Sequence, residues 1–260
     1  MLLAAMCDDF CRRRESESFI ELSEYPLIQG GDSVMHVCLF DIDGTLLDTG
    51  GAGQAAMEAA IRSEFGTQQT VEGIWTAGRT DRAIMVDLFE YFGVAFDEQA
   101  CRQFQAAYFE HLPEHLSRCS GLALPGVPEL LETLSGRDDV VLGLLTGNFR
   151  HGAQLKLGHH GLFDYFEFGG FGDHHLDRDD VAREALAQVH ERMDGTLDIG
   201  RVWVIGDTPA DIRCARAIGA NAVAVSTGIY PAEELAAGSP DHLFDSFLDH
   251  RPLLALLGAS

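Results

Sequence analysis

Lysine is almost absent from this 260-residue chain. Lys156 is the only one, so arginine supplies nearly all of the 18 Lys and Arg side chains. Against them stand 41 acidic residues, for a formal net charge of −23. That balance repels nucleic-acid backbones and anionic lipid, and so argues against nucleic-acid and membrane-surface roles. It also repels phosphorylated metabolites, unless a metal ion or a local cationic cluster offsets it. Long apolar runs are lacking too: none approaches the ~20 residues of a membrane-spanning helix. Cysteine pairs of the C-x-x-C kind are missing. Cys7, Cys11, Cys38, Cys101, Cys119 and Cys214 are scattered, most of them in apolar stretches where cysteine behaves as a small hydrophobe. A disulfide framework is therefore not expected, and a reducing cytoplasmic compartment fits best. The opening MLLAAMC has no preceding basic region, and its apolar run is shorter than the ~7–15 residues of an export signal. Residues 1–33 are expected to form a loose leader.

What is present reads as an ordinary globular protein, 46% apolar and 23% charged. The length suits one large domain or a core with a smaller module. Residues 34–40 form a short apolar run that stops abruptly at Asp41-Ile42-Asp43-Gly44, as a buried strand does. Gly50-Gly51-Ala52-Gly53 looks like a hinge, since it lacks the G-K-[ST] ending of a nucleotide loop. From about 54 to 118 the apolar spacing is helical, with stripes at Met57, Ile61 and Phe65, at Ile84, Met85, Leu88, Phe89 and Phe92, and at Cys101, Phe104, Tyr108 and Leu112. Beyond Pro125-Gly126, strands are expected at 140–145, 165–171, 202–205 and 222–226, separated by single helices. This alternation predicts an α/β fold: a parallel sheet with helices on both faces, carrying the helical block as an insertion after its first strand.

In open parallel sheets the ligand sits beyond the carboxyl ends of the strands. The residues there are Asp41 and Asp43 after the first strand, Thr146 and Asn148 after the second, and Asp207 and Asp211 after a later one. Four carboxylates gathered at one edge are tolerable only with a cation, and all-oxygen hard ligands point to Mg²⁺. Asp41 and Asp43 stand two apart, so an extended backbone turns both to one side. One carboxylate can attack phosphorus while the other handles a proton. Gly44 permits a tight turn, and Thr146 with the backbone N–H groups near Gly147 can hold phosphoryl oxygens. His159-His160 and His174-His175 are adjacent pairs without cysteines nearby, which does not suit zinc.

The segments DIDGTLLD at 41–48, LLTGN at 144–148 and GDTPADIRCARAIGA at 206–220 resemble the motifs of the haloacid dehalogenase superfamily, in order and spacing, across residues 34–257. The resemblance implies a Rossmann-like core over 34–49 and 122–260, an α-helical cap over 50–121, and hydrolysis through an aspartyl-phosphate. Carried onto this chain, Asp41 is the nucleophile, Asp43 the acid and base, and Thr146 a phosphate ligand. Asp41, the Asp43 carbonyl and Asp207 bind Mg²⁺, with Asp211 supporting them. Gly78-Arg79-Thr80-Asp81 is similar to a cap segment of phosphoglycolate-phosphatase-like members, which makes Arg79 a candidate substrate contact. The family's usual lysine lies between its second and last motifs. Lys156 falls too early for it, so the role passes to Arg178, with Arg183 as fallback, because a guanidinium also grips phosphate oxygens.

The expected function is Mg²⁺-dependent hydrolysis of a small phosphorylated metabolite, by a monomer or a homodimer. Two other readings are a phosphomutase of the β-phosphoglucomutase type and a non-catalytic binding module. The displaced lysine is the only feature that favours the binding module, and an intact pair of carboxylates speaks against it.

Overall fold

The computed structural model describes residues 35–67, 74–193 and 197–258. The leader expected over 1–33 lies outside them. The first element among the described residues is β1 (His36–Phe40), buried along its whole length. A two-residue β2 (Leu47–Asp48) leads into three helices, α1 (Ala52–Phe65), α2 (Asp81–Phe92) and α3 (Glu98–Arg118), and β3 (Leu122–Ala123) leads out. Then follow α4 (Val127–Ser135), β4 (Val140–Leu145), α5 (Arg150–His159), β5 (Phe168–Gly170), α6 (Arg178–Arg192), β6 (Val202–Gly206), α7 (Pro209–Ile218), β7 (Asn221–Val225), α8 (Ala232–Ala237), β8 (His242–Phe244) and α9 (Arg251–Leu256).

Six strands form one sheet in the order β5-β4-β1-β6-β7-β8, and every pairing is parallel. This is the α/β architecture expected from the sequence, with one more strand. β8 escaped notice because it is three half-buried residues at a sheet edge, without an apolar run. The strand expected over 165–171 is shorter: Phe163–Tyr165 form a 3₁₀ turn and only Phe168–Gly170 pair with β4.

Alternation along β1 shows why the sheet is covered on both faces. Cys38 and Phe40 join a cluster with α4, α5 and α9, while Val37 and Leu39 join a cluster with α6 and α7. Successive side chains point to opposite faces, so a continuously apolar strand needs helices on each side. The helical stripes read from the sequence pack on one another. Met57 and Ile61 of α1, Met85 and Phe89 of α2, and Phe104, Tyr108 and Leu112 of α3 form a third cluster, closed by Phe149 at the start of α5. β2 and β3 pair antiparallel, Leu47 with Ala123 and Asp48 with Leu122, so the chain enters and leaves the three-helix unit through one narrow neck.

Candidate active site

The strands at the centre of the sheet deliver their carboxyl ends to one cavity of about 420 Å³, which the three-helix unit overhangs. Asp41, Asp43, Gly44, Gly147, Asn148, Arg178 and Asp207 line it from the sheet side. Arg79, Asp81, Ile84 and Tyr108 line it from the helical side.

Asp41 follows β1 directly and is 4% exposed. Burial raises its carboxyl to about 6, opposed by the Arg178 guanidinium and reinforced by Asp211 and Asp43. Asp43, two residues on, is less enclosed. Its carboxylate accepts hydrogen bonds from Lys156 Nζ at 2.7 and 2.9 Å and from Asn148 Nδ2 at 2.8 Å. Burial pushes the Asp43 carboxyl up, but the Lys156 ammonium and the Asn148 amide outweigh it and hold the group below the usual carboxylate range.

Lys156 corrects the expectation drawn from its position in the chain. Nearly two turns into α5, its side chain is buried, and its ammonium also donates to Asn148 Oδ1 at 2.6 Å. A Cβ on Gly53 would stand 3.1 Å from that ammonium, so the glycine of α1 leaves the space it occupies. Distance along the sequence was a poor guide because α5 carries the Lys156 ammonium to the Asp43 carboxylate.

Arg178 also reaches the site, from the first residue of α6. It is 4% exposed, donates to Asp211 Oδ1, and lies 3.3 Å from Asp41 Oδ1. It is therefore not a surface arginine paired with its sequence neighbours Asp177, Asp179 or Asp180. The fallback, Arg183, pairs with Asp180 in the open, far more exposed than Arg178.

Asp207 accepts from the Thr45 hydroxyl at 3.0 Å, and burial together with Asp211 and Asp41 raises its carboxyl to about 8. Asp211 stands behind it, out of the cavity lining. It caps α7 through Thr208 N at 2.9 Å while holding Arg178, so it both caps a helix and supports the site. Thr146 is likewise fully buried behind the lining, with its hydroxyl accepting from Asn148 Nδ2 at 2.8 Å. Arg79 lines the rim, but its guanidinium is paired with Asp87 and bonded to Trp75 O at 3.2 Å. Gly147 O accepts from Asp81 N at 2.7 Å, and a Cβ on Gly147 would come 2.0 Å from Arg79 O, so only glycine lets the helical unit rest on this loop.

Asp41, Asp207 and Asp211 each present a carboxylate oxygen within 4.8 Å of the others. One guanidinium faces three carboxylates there, and burial, reinforced by their mutual repulsion, raises Asp41 and Asp207. Beside Asp207 the backbone comes so close that a Cβ on Gly228 would lie 1.7 Å, and one on Gly44 2.4 Å, from its Oδ2. The donor set is all oxygen and strongly acidic, which fits a small hard divalent cation such as Mg²⁺.

Tyr108 and Asp81 were not read as site residues. Tyr108 sat in a helical stripe that reads as core, and nothing local in the sequence sets it apart. Asp81 looks like an ordinary first-turn acid of α2. Its Oδ2 accepts from Phe149 N at 2.8 Å, and burial lifts its carboxyl to about 7 against the pull of Lys156.

Comparison with known proteins agrees with this arrangement. The haloacid dehalogenase-like hydrolase family matches residues 35–219. A probable phosphatase, IndB, of Dickeya dadantii is 30% identical over 227 residues, covering 80% of this chain and 89% of that protein. A phosphoglycolate phosphatase of Synechococcus elongatus is 30% identical over 216 residues, covering 82% of this chain and 93% of that protein. The crystal structure of a hydrolase from Pseudomonas syringae shares the fold, with a TM-score of 0.64 at 22% identity, over 85% of this chain and 98% of that one. A parallel sheet ending in Asp41, Thr146 and Asp207, and a family match across most of its length, place the chain in the haloacid dehalogenase-like hydrolase family.

Proposed function

We propose that this chain, a haloacid dehalogenase-like phosphoric monoester hydrolase, cleaves a small phosphorylated metabolite by way of a phosphoryl group carried on Asp41. The observation that carries the reading is the shared cavity. Asp41 and Asp43 open into it two residues apart, with Lys156 on one flank and Arg178 on the other.

Asp41 Oδ attacks phosphorus, and the bond from phosphorus to the ester oxygen breaks. Asp43 delivers a proton to the leaving alkoxide, which departs as the free alcohol. Water then attacks the same phosphorus, Asp43 takes its proton, and the bond to Asp41 breaks to release inorganic phosphate. Lys156 keeps Asp43 ionised, as the second step requires; for the first step Asp43 carries a proton only when that ion pair loosens. Arg178 holds Asp41 from behind and offsets the charge of Asp211. The backbone N–H of Gly147 would serve the transferring phosphoryl oxygens, while the Thr146 hydroxyl holds Asn148 by accepting from its backbone N–H at 3.3 Å and its side-chain amide at 2.8 Å. Asp41, the Asp43 carbonyl and Asp207 would hold Mg²⁺, with Asp211 behind them. Bound there, the cation would neutralise charge on the phosphoryl group and orient the attacking carboxylate. The helical unit over 50–121 acts as a cap whose movement about the neck at Leu47–Asp48 and Leu122–Ala123 admits substrate and then excludes water.

The test is phosphate release from a panel of small phosphate esters, with Mg²⁺ and with EDTA. Release that needs Mg²⁺ is the expected result. Release unaffected by EDTA, or none from any ester, contradicts the reading.

A further inference from the structure

We infer that the leaving-group end of the cavity is built for an uncharged, hydroxyl-bearing alcohol such as a small polyol or sugar, and that the Tyr108 hydroxyl is its recognition group. The inference rests on the phosphatase reading above, because it concerns the far wall of the same cavity.

The charge of the lining comes first. Five carboxylates line the cavity (Asp41, Asp43, Asp48, Asp81 and Asp207) against three cations (Arg79, Lys156 and Arg178). All three cations are engaged with acids. Lys156 is on Asp43, Arg178 on Asp211 and Asp41, and Arg79 on Asp87. A divalent cation and the transferring phosphoryl group account for the side near Asp41 and Asp207. Asp48 and Asp81 line the cavity as well, so a carboxylate on the leaving group would meet further acidic side chains and no unengaged cation. A neutral hydroxyl meets acceptors there.

Tyr108 supplies the specific signal. Its side chain is 0% exposed, it lines the cavity, and its hydroxyl has no hydrogen-bond partner among the described residues. A hydroxyl that deep is unfavourable unless something bonds it. The ring is stacked on Phe104 and packed edge-on against Phe149, which fixes where the hydroxyl points. Gly152 leaves room beside it: a Cβ there would stand 3.3 Å from the oxygen. Burial holds the phenol well above its ordinary value, so it stays protonated and both donates and accepts. Met57 and Ile84 line the same wall and suit the carbon skeleton of a polyol.

The experiment compares three esters on the full chain with Mg²⁺: glycerol phosphate, phosphoglycerate and p-nitrophenyl phosphate. The first two differ only in a terminal hydroxymethyl against a carboxylate. The expected result is a higher kcat/KM for glycerol phosphate than for phosphoglycerate in the unaltered protein. Tyr108→Phe, checked for folding by circular dichroism, is expected to lower the ratio of kcat/KM for glycerol phosphate to that for p-nitrophenyl phosphate by roughly 3–10-fold, the loss of one hydrogen bond. Equal or better use of phosphoglycerate overturns the charge argument, and it needs no variant. An unchanged ratio in folded Tyr108→Phe overturns the role of the hydroxyl. If none of the three esters is hydrolysed, the phosphatase reading falls, and this inference with it.

Discussion

Asp41→Asn is expected to lower phosphate release by about 10⁴-fold or more, because the amide cannot form the covalent intermediate and no neighbour can replace it. Asp43 also lines the cavity, but it is held by Lys156 and Asn148 and cannot swing to the phosphorus without breaking three hydrogen bonds. The substitution leaves the fold intact. Asparagine nearly matches aspartate in shape, and Arg178 keeps Asp211 as a partner. Removing one of three crowded carboxylates also relieves repulsion that burial has made costly at Asp41. Phosphate release at saturating ester, with thermal unfolding run alongside, checks both halves. A folded Asp41→Asn protein that keeps a tenth of the activity would show that phosphorus is attacked by something else, such as water.

Lys156→Met is expected to lower kcat/KM by about 10²–10³-fold, the scale of losing one preorganised positive group beside the reaction centre. The shift in pH dependence is more diagnostic than the loss. Lys156 holds the Asp43 carboxyl below its usual range, so its removal raises that pKa. The step in which Asp43 accepts a proton from water needs the ionised form, and its acid limb therefore moves to higher pH. The step in which Asp43 gives a proton needs the protonated form, and the corresponding alkaline limb moves the same way. Either limb shifts the optimum upward. The fold survives because methionine fills the same channel beside Gly53, while the Asp43 side chain is 40% exposed and keeps the Asn148 amide. A pH–rate profile of the variant decides it: an unmoved or lowered optimum means Lys156 does not govern Asp43.

Much of the architecture was legible in the sequence because its cues are local. Apolar runs that stop at Asp41, at Thr146 and at Asp207 mark strand ends, and parallel topology sends all three to one edge. The edge strand β8 carried no such cue, since half-buried residues at a margin need no apolar run. The cavity was legible where residues follow strands or stand within a motif, and illegible at Lys156 and Tyr108 inside helices. Lys156 was set aside by counting residues, yet α5 brings it to Asp43. Tyr108 has the spacing of any core residue in α3, and its orphan hydroxyl exists only once α1, α3 and α5 have packed. Arg178, also on a helix, was picked out by its place between the second and last motifs, and the structure buries it beside Asp41.

The most direct test of the central claim is to look for the phosphoryl group on Asp41 itself. Asp43→Asn protein is mixed with p-nitrophenyl phosphate and Mg²⁺, quenched in acid and digested for peptide mass analysis. The leaving nitrophenolate needs no proton, so attack by Asp41 proceeds, while hydrolysis stalls for want of a base. A peptide containing Asp41 that carries one added phosphoryl group, accompanied by a single burst of nitrophenolate, is the predicted result. Steady release of phosphate with no modified Asp41 peptide would contradict it.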